Sequence, residues 1–282
     1  MSKQTEMRDE RDEIEIERAD QRLIKAHKEA AFVRGDASPE EVEARMRKMS
    51  RRSFLWGALA VGATVGGVKW IGSRRTEDGA VWPLRRGLQT NEAIWRDLFN
   101  QLKLAPTFPP SRAQEIRVNG NIGLSDGFDP AKWKMNVEGL TGAPAQITLD
   151  QIKALPKMTM TTELKCIEGW ATVVNWGGAR LSDFVRQYAS DPSQLPEYVG
   201  LTTPDGVYYV GMEKAAALHS QTLLCYEMNG EALTLEHGAP LRLVTPIKYG
   251  IKNLKRIGTL SFTNQRPEDY WAQRGYDYYA GF

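Results

Sequence analysis

Cysteine and histidine are scarce in this chain of 282 residues, which contains two cysteines and three histidines. An iron–sulfur cluster is usually held by four thiolates, and a c-type haem needs a Cys-x-x-Cys-His motif, which the sequence lacks. The chain therefore cannot bind either redox group by itself. Any electrons used in a reaction must pass to or from another protein.

A large excess of one charge is also missing, because 37 basic residues stand against 35 acidic ones and the formal net charge is +2. This balance gives no support for nucleic acid as a partner, and we expect none. The sequence has no internal repeat and no low-complexity tract. The chain is long enough for one catalytic domain with additional segments.

The first fifty residues interleave acidic and basic side chains with few large apolar ones. We interpret residues 1–49 as a charged helical tail that stays in the cytoplasm. Ser38 and Glu41 predict a helix start, because each can bond a free amide of the first turn, where Pro39 also fits. We expect this helix to end near Lys48.

Residues 50–72 carry a twin-arginine pattern. Arg51 and Arg52 stand directly before a run of 15 small or apolar residues, Phe54 to Val68. The pattern predicts export in the folded state by the twin-arginine translocase. The run is shorter than the roughly 20 residues that span a bilayer, but no convincing cleavage site follows it. We expect an uncleaved anchor that tethers a periplasmic protein to the inner membrane.

Residues 73–114 are interpreted as a connecting arm. A helix is predicted from Asn91 to Leu102, with an apolar stripe that we expect to pack on the catalytic domain. Prolines then break regular structure. The stripe consists of Ile94, Trp95, Leu98 and Phe99.

Residues 115–282 are interpreted as the catalytic domain, because strand-like alternation dominates after residue 130. Trp133, Met135 and Val137 share one strand face, whereas residues 181–188 have helical spacing. Regular alternation of strands and helices is missing, which excludes a doubly wound fold. The pattern predicts an α+β domain rich in sheet.

Three short segments carry the chemistry. Cys166 ends a predicted strand whose alternate residues share its face, so the strand could deliver its sulfur to a pocket. About seventy residues later, basic residues and glycine indicate anion binding, since glycine lets the backbone approach a phosphate closely. We assign Lys255 and Arg256 instead to a solvated basic face. The segments are Leu164-Lys165-Cys166-Ile167-Glu168-Gly169-Trp170, His237-Gly238-Ala239-Pro240-Leu241-Arg242 and Lys248-Tyr249-Gly250-Ile251-Lys252.

Together these segments resemble the molybdopterin-binding domain of the sulfite oxidase superfamily, above all its bacterial sulfoxide reductase branch. The resemblance covers roughly residues 115–280 and implies the fold of that family, with mixed β-sheet. It also implies a molybdenum-molybdopterin cofactor whose metal is bound by the thiolate of Cys166. A disulfide between Cys166 and Cys225 is then excluded, and we expect Cys225 to be buried and inert.

The resemblance also implies the remaining site residues. Arg242 and Gly250 to Lys252 would hold the pterin phosphate, and His237 stands where the reductases have asparagine and the sulfite oxidases have histidine. Glu168 would move protons at the metal, unless it is an exposed structural carboxylate, and Tyr249 would border the substrate pocket, unless it is a core tyrosine. The full set of cofactor-binding residues is Asn119, Ile122, Gly123, Thr203, His237, Arg242, Gly250, Ile251 and Lys252.

The activity implied is a two-electron oxygen-atom transfer, most simply the reduction of a small-molecule or protein sulfoxide. A membrane-bound b-type haem protein would be the redox partner. Sulfite oxidation is the alternative, but the arginines that follow the cysteine of animal and plant sulfite oxidases are missing here. We expect no homodimerisation domain. Two further alternatives are a cofactor-free binding protein and a zinc site made from Cys166, Cys225, His219 and His237.

Overall fold

The computed structural model describes residues 21–22, 26, 38–140 and 142–281. It divides the chain into two compact units, Met1–Ser73 and Arg74–Phe282, and each is described by itself. Most of the predicted helical tail over residues 1–49 lies outside the described residues.

The described part of the first unit is dominated by the helix α1, Pro39–Gly72. It starts as predicted, since Ser38 accepts a hydrogen bond from the Glu41 amide and Glu41 bonds back to the Ser38 amide. The predicted end near Lys48 is wrong, because the helix continues through the apolar run. Its large apolar side chains from Phe54 onward are 50% to 74% exposed. By length and composition, α1 could cross a membrane.

The second unit contains two five-stranded sheets, a two-stranded sheet of β1 and β2, one helix of 17 residues and shorter helices. One sheet has the order β10-β9-β6-β5, with β11 also paired to β9, and all its pairs are antiparallel. The other has the order β4-β3-β12-β7-β8 and is mixed, because β3 and β12 are parallel. The elements are β1 (Thr76–Glu77), β2 (Ala80–Val81), α2 (Trp82–Leu98), β3 (Met135–Glu138), β4 (Ala145–Ile147), α3 (Leu149–Lys153), β5 (Lys157–Lys165), β6 (Ala171–Arg180), α4 (Leu181–Tyr188), β7 (Tyr198–Thr202), β8 (Tyr209–Glu213), α5 (Lys214–Ala217), β9 (Leu223–Met228), β10 (Glu231–Ala232), β11 (Arg242–Val244) and β12 (Thr259–Thr263).

The predicted α+β class with mixed sheet is confirmed, and the predicted alternation is visible in β3, where buried and exposed residues alternate. Strand β9 of the first sheet is buried on both faces over its first four residues. Leu224 of β9 belongs to the larger core, which also takes side chains from the second sheet and α4, whereas Cys225 belongs to a smaller core around Trp176. Successive strand residues point to opposite faces, so Arg242 and Val244 of β11 lie on the side of the smaller core.

Helix α2 differs from its prediction in both limits and orientation. It begins at Trp82 and ends at Leu98, and its buried residues are Arg85 and Glu92. Ile94, Trp95 and Leu98 are 51%, 40% and 65% exposed. The prediction that this apolar stripe packs on the catalytic domain is confirmed only in part. The Trp95 ring stacks on Tyr279 and the Phe99 ring meets His219 edge-on, with ring centroids 6.4 and 6.2 Å apart, whereas Ile94 and Leu98 stay largely exposed.

Candidate functional site

A tight turn between β5 and β6 fixes Cys166 at the end of the first sheet. The two strands pair without interruption from Lys157 to Lys165. In the turn, the Cys166 amide donates to the Trp170 carbonyl at 2.8 Å, and the Gly169 amide donates to the Cys166 carbonyl at 3.1 Å. Gly169 has φ +89°, a conformation that glycine adopts without steric cost. The predicted delivery of Cys166 by a strand is confirmed.

Cys166 opens into a cavity of about 170 Å³. One water molecule needs roughly 15 Å³ on the same scale, so the cavity is large enough for an organic ligand. Its walls are mostly apolar and come from distant parts of the sequence. Eight of the residues predicted from the sequence lie in these walls: Asn119, Ile122, Cys166, Glu168, His237, Arg242, Gly250 and Ile251.

Two other predicted residues lie just behind the walls. A Cβ on Gly123 would stand 2.5 Å from the Thr203 methyl carbon, and Gly123 has φ +76°, so only glycine fits there. The Thr203 hydroxyl accepts a hydrogen bond from the Tyr208 amide at 3.1 Å. Tyr208 itself lines the cavity and donates through its hydroxyl to the Ile251 carbonyl. Gly123 and Thr203 therefore support the wall and do not face the cavity.

Lys252 and Tyr249 are not brought to the described lining. The Lys252 ammonium is fully buried and is bonded to the Asp269 carboxylate at 2.5 Å and the Gly211 carbonyl at 2.7 Å. Of the predicted phosphate segment, only Gly250 and Ile251 line the cavity. The Lys252 side chain is thus engaged in an ion pair, and its predicted contact with phosphate finds no support in the geometry.

Arg242 is a buried charged residue of the cavity lining without a carboxylate partner among the described residues. It is 3% exposed, and it donates to the carbonyls of His237 and Asn253 at 3.2 and 3.4 Å. Its Nε has no partner, and no ion pair joins it to a carboxylate among the described residues. Burial lowers the pKa of Arg242 to about 10. A buried cation without a counter-charge is costly, so this position calls for an anion.

His237 and Lys255 line the cavity with Arg242. The Nδ1 atom of His237 is buried and unpaired. Burial, followed by the nearby charges of Arg242 and Lys255, lowers the pKa of His237 below its usual value, so the ring is neutral at neutral pH. Three nitrogen-bearing side chains are therefore available to one anionic group.

The predicted solvated basic face is wrong. Lys255 is half-buried in the cavity wall, where its ammonium donates to the carbonyls of Asn119 and Gly120 at 2.8 and 3.1 Å. Burial lowers the pKa of Lys255 to about 8. Arg256 is 3% exposed and donates to backbone carbonyls. Both cations are buried by contacts with residues that are distant in the sequence, so the local sequence pattern could not predict their burial.

The surroundings of Cys166 are mainly apolar and aromatic. Burial raises the pKa of the half-buried Cys166 thiol above its usual value. The side-chain amide of Asn119 lies 3.9 Å from the sulfur, and the Glu168 carboxylate accepts a hydrogen bond from the Trp170 indole at 3.1 Å. Sequence reasoning missed further lining residues. Asn253 directly follows the third segment, and the others lie outside the motifs: Ile116, Arg117, Tyr208, Trp271 and Tyr276.

The second cysteine takes no part in the cavity. Cys225 is buried in the smaller core, and burial raises the pKa of its thiol to about 12. Both cysteines are free, which excludes the disulfide in this structure. No three His, Cys, Asp or Glu side chains among the described residues come together as metal ligands, so the zinc alternative has no geometric support.

Several known proteins are similar to this chain. The family model described as oxidoreductase molybdopterin binding domain matches residues 122–271. The putative protein-methionine-sulfoxide reductase subunit YedZ1 of Azospira oryzae is 32% identical over 82% of this chain and 88% of its own length. The protein-methionine-sulfoxide reductase catalytic subunit MsrP of Ralstonia nicotianae is 28% identical over 88% of this chain and 80% of its own. The crystal structure of the sulfane dehydrogenase SoxCD from Paracoccus pantotrophus is a weaker match, with TM-score 0.47 and 19% identity over 61% of this chain and 51% of that chain.

Proposed function

The chain belongs to the family of oxidoreductase molybdopterin-binding domains, and on this premise we propose that it is the catalytic subunit of a sulfoxide reductase. Within the sulfite oxidase superfamily it is a molybdenum-molybdopterin oxidoreductase. One observation carries the proposal: the Cys166 thiol and the uncompensated guanidinium of Arg242 open into the same mostly apolar cavity.

The residues of the cavity fit the cofactor. The Cys166 thiolate would hold the metal, and Arg242, His237 and Lys255 would hold the pterin phosphate. Two buried nitrogen atoms, Nδ1 of His237 and Nε of Arg242, have no hydrogen-bond partner, and a bound anion would provide one. When bound, the cofactor supplies two-electron oxygen-atom exchange. Gly250 and Ile251 offer backbone to the same wall.

A neutral sulfoxide suits the rest of the lining. Ile116, Ile167 and the rings of Trp170, Trp271 and Tyr276 provide apolar surface for a thioether chain. A sulfur oxyanion is better bound by paired guanidinium groups. Besides Arg242, which the pterin phosphate would engage, Arg117 is the one arginine of the described lining. Arg117 is the feature that favours the second candidate, a sulfite dehydrogenase.

Glu168 is the residue that we propose to move a proton at the reacting oxygen. It stands two positions after Cys166 and lines the cavity, and the Trp170 indole orients its carboxylate. An exposed carboxylate exchanges protons with water readily, which suits a reaction that forms water. Tyr249 lies outside the described lining and is not part of this proposal.

We propose further that the chain is exported by the twin-arginine translocase and stays tethered to the periplasmic face of the inner membrane by α1. Supporting this, α1 includes the twin-arginine pattern, and the helix could cross a membrane by its length and composition. A membrane-bound b-type haem protein would deliver the electrons, since the sequence has too few cysteines for an iron–sulfur cluster of its own.

Steady-state turnover with methionine sulfoxide and with sulfite tests the substrate. We expect faster turnover of methionine sulfoxide, with little effect of Arg117→Ala, and a loss of roughly a hundredfold in Glu168→Gln, as for removal of a general acid. Faster oxidation of sulfite, together with a large loss in Arg117→Ala, would favour the dehydrogenase.

A further inference from the structure

Helix α2 is amphipathic in the reverse of the usual sense for a surface helix. Its polar residues Arg85 and Glu92 are 2% and 7% exposed, whereas Leu84 and Leu98 are 56% and 65% exposed. A surface helix usually turns its apolar stripe to the core. In α2 part of the apolar side is left exposed, at Leu84, Ile94, Trp95 and Leu98, which we call the outer stripe. One edge of this stripe meets the catalytic unit, where the Trp95 ring stacks on Tyr279 with ring centroids 6.4 Å apart.

Specific bonds hold the inner face, so the orientation of α2 is well determined. The Arg85 guanidinium donates to the carbonyls of Glu77, Asp78, Ala272 and Tyr276. The Glu92 carboxylate pairs with Arg266 at 3.0 Å. Rotating α2 to bury the outer stripe would expose these partners and break the bonds. The outer stripe is therefore a permanent feature of the surface.

The outer stripe continues beyond the helix. Leu102 and Leu104 follow it in the chain and are 86% and 58% exposed. Exposed apolar side chains concentrated in one short stretch mark a surface that is covered in the working protein. Single exposed leucines are common, but six large apolar side chains within residues 84–104 are not a random scatter.

The sequence on the N-terminal side indicates what covers this surface. The apolar part of α1 ends at Gly72, and Trp82 follows ten residues later, which an extended chain spans in at most about 35 Å. Exposed basic residues flank this stretch in the sequence at Lys69, Arg75, Arg86 and Lys103, of which Arg75 and Arg86 pair with Glu77. Apolar side chains flanked by basic ones are the composition of a helix that lies in the interface of an anionic bilayer.

We propose that the outer stripe of α2, with Leu102 and Leu104, lies on the lipid surface of the membrane that holds α1. The surface would keep the catalytic unit against the bilayer, with α1 as the tether and α2 as the contact. This inference rests on the proposed membrane anchoring by α1. It does not depend on the cofactor or the substrate.

Site-specific photo-crosslinking tests this contact in the full chain. Benzoylphenylalanine would replace Leu98 of the outer stripe, Leu59 of α1 and Val207 of the turn before β8, which are 65%, 61% and 51% exposed. Each variant would be reconstituted in vesicles of phosphatidylethanolamine and phosphatidylglycerol. Mass spectrometry after irradiation would count lipid adducts. Lipid adducts at Leu59 would show that α1 is anchored in the bilayer. Val207 is the negative control, since adducts there measure chance contact between lipid and an exposed apolar residue.

We expect lipid adducts at Leu98 at about ten times the yield at Val207, since burying one large apolar side chain favours the apolar phase by at least that factor. Adducts at Leu59 but not at Leu98 would overturn the lipid contact and leave the anchor intact. Adducts at Leu98 with another protein, or with a second copy of the chain, would also overturn it. Absence of adducts at Leu59 would overturn the anchoring and the lipid contact together.

Discussion

At the scale of single residues, two buried cations illustrate how differently charge is used in this fold. Lys252 is paired with Asp269 inside the protein, whereas Arg242 has backbone carbonyls and the Trp176 ring as partners and no carboxylate among the described residues. Both were predicted from the sequence to bind phosphate. The paired lysine stabilises the folded chain, and the unpaired arginine is left to bind an anion at a cost in stability.

This contrast predicts opposite results for two matched substitutions. Arg242→Met should leave the stability of the cofactor-free chain unchanged or higher, because it removes an uncompensated buried charge, but the variant should lose bound molybdopterin. Lys252→Met should lower the free energy of unfolding by about 3–5 kcal/mol, because it strands the Asp269 carboxylate. Urea denaturation and assay of the released pterin would measure both.

Two outcomes would contradict the proposed role of Arg242 as a ligand of the pterin phosphate. If Arg242→Met destabilised the cofactor-free chain as strongly as Lys252→Met, Arg242 would be part of the packing. Full retention of the pterin in Arg242→Met would exclude it as a phosphate ligand.

Lys255 predicts a pH dependence of anion binding. Its pKa is lowered to about 8 by burial, so without an anion it loses its charge as the pH rises through that value. A phosphate monoester binds the protonated form, and its affinity for the cofactor-free chain should fall about tenfold between pH 7 and pH 9. His237 is neutral over this range, because its pKa is lowered, and Arg242, with a pKa of about 10, remains mostly charged.

Titration calorimetry with methyl phosphate would measure this change. Lys255→Met should bind more weakly at pH 7 and show no comparable fall. The same pH dependence in the variant as in the parent chain would assign the effect to another group.

The sequence indicated the side chains that sit in compact motifs. Cys166, Glu168, His237 and Arg242 all reach the cavity because each segment enters it directly from a strand or turn. The sequence could not indicate which lysine of the 248–255 segment lines the cavity. Lys252 is bonded to Asp269 and Lys255 to Asn119, and both of these partners are distant in the sequence. Trp271 and Tyr276 stand in no motif.

At the scale of elements, the strands were easier to predict than α2. Alternation in β3 and the end of β5 follow from patterns that the core imposes locally. The orientation of α2 depends on carbonyl groups elsewhere in the chain that accept from Arg85. Hydrophobic periodicity therefore located an amphipathic helix in this part of the chain, with shifted ends. It predicted the packing of Trp95 and Phe99 but not the exposure of Ile94 and Leu98.

Arg85 should be a strong anchor of α2. Arg85→Met would leave several carbonyls without their charged donor and should lower the free energy of unfolding by about 3 kcal/mol. Arg86→Met is the matched control, because Arg86 is about half exposed and its pairing with Glu77 should contribute less than about 1 kcal/mol. Equal losses in the two variants, measured by urea denaturation, would contradict the anchoring role.

At the scale of the whole molecule, the candidate site is defined by the Cys166 thiol and the Arg242 guanidinium, which we propose binds an anion. Loops and strands from across the second unit bring them to one cavity. The proposed twin-arginine route would suit a protein that folds around its cofactor before export. As proposed, the chain would transfer oxygen atoms at this cavity and take its electrons from a partner.

The most direct test of this account is molybdenum analysis with X-ray absorption on the purified chain, Cys166→Ser and Cys225→Ala. We predict about one molybdenum per chain in the parent and in Cys225→Ala, with one metal–sulfur ligand fewer, or no metal, in Cys166→Ser. An unchanged number of metal–sulfur ligands in Cys166→Ser, or zinc in place of molybdenum in the parent chain, would contradict the account.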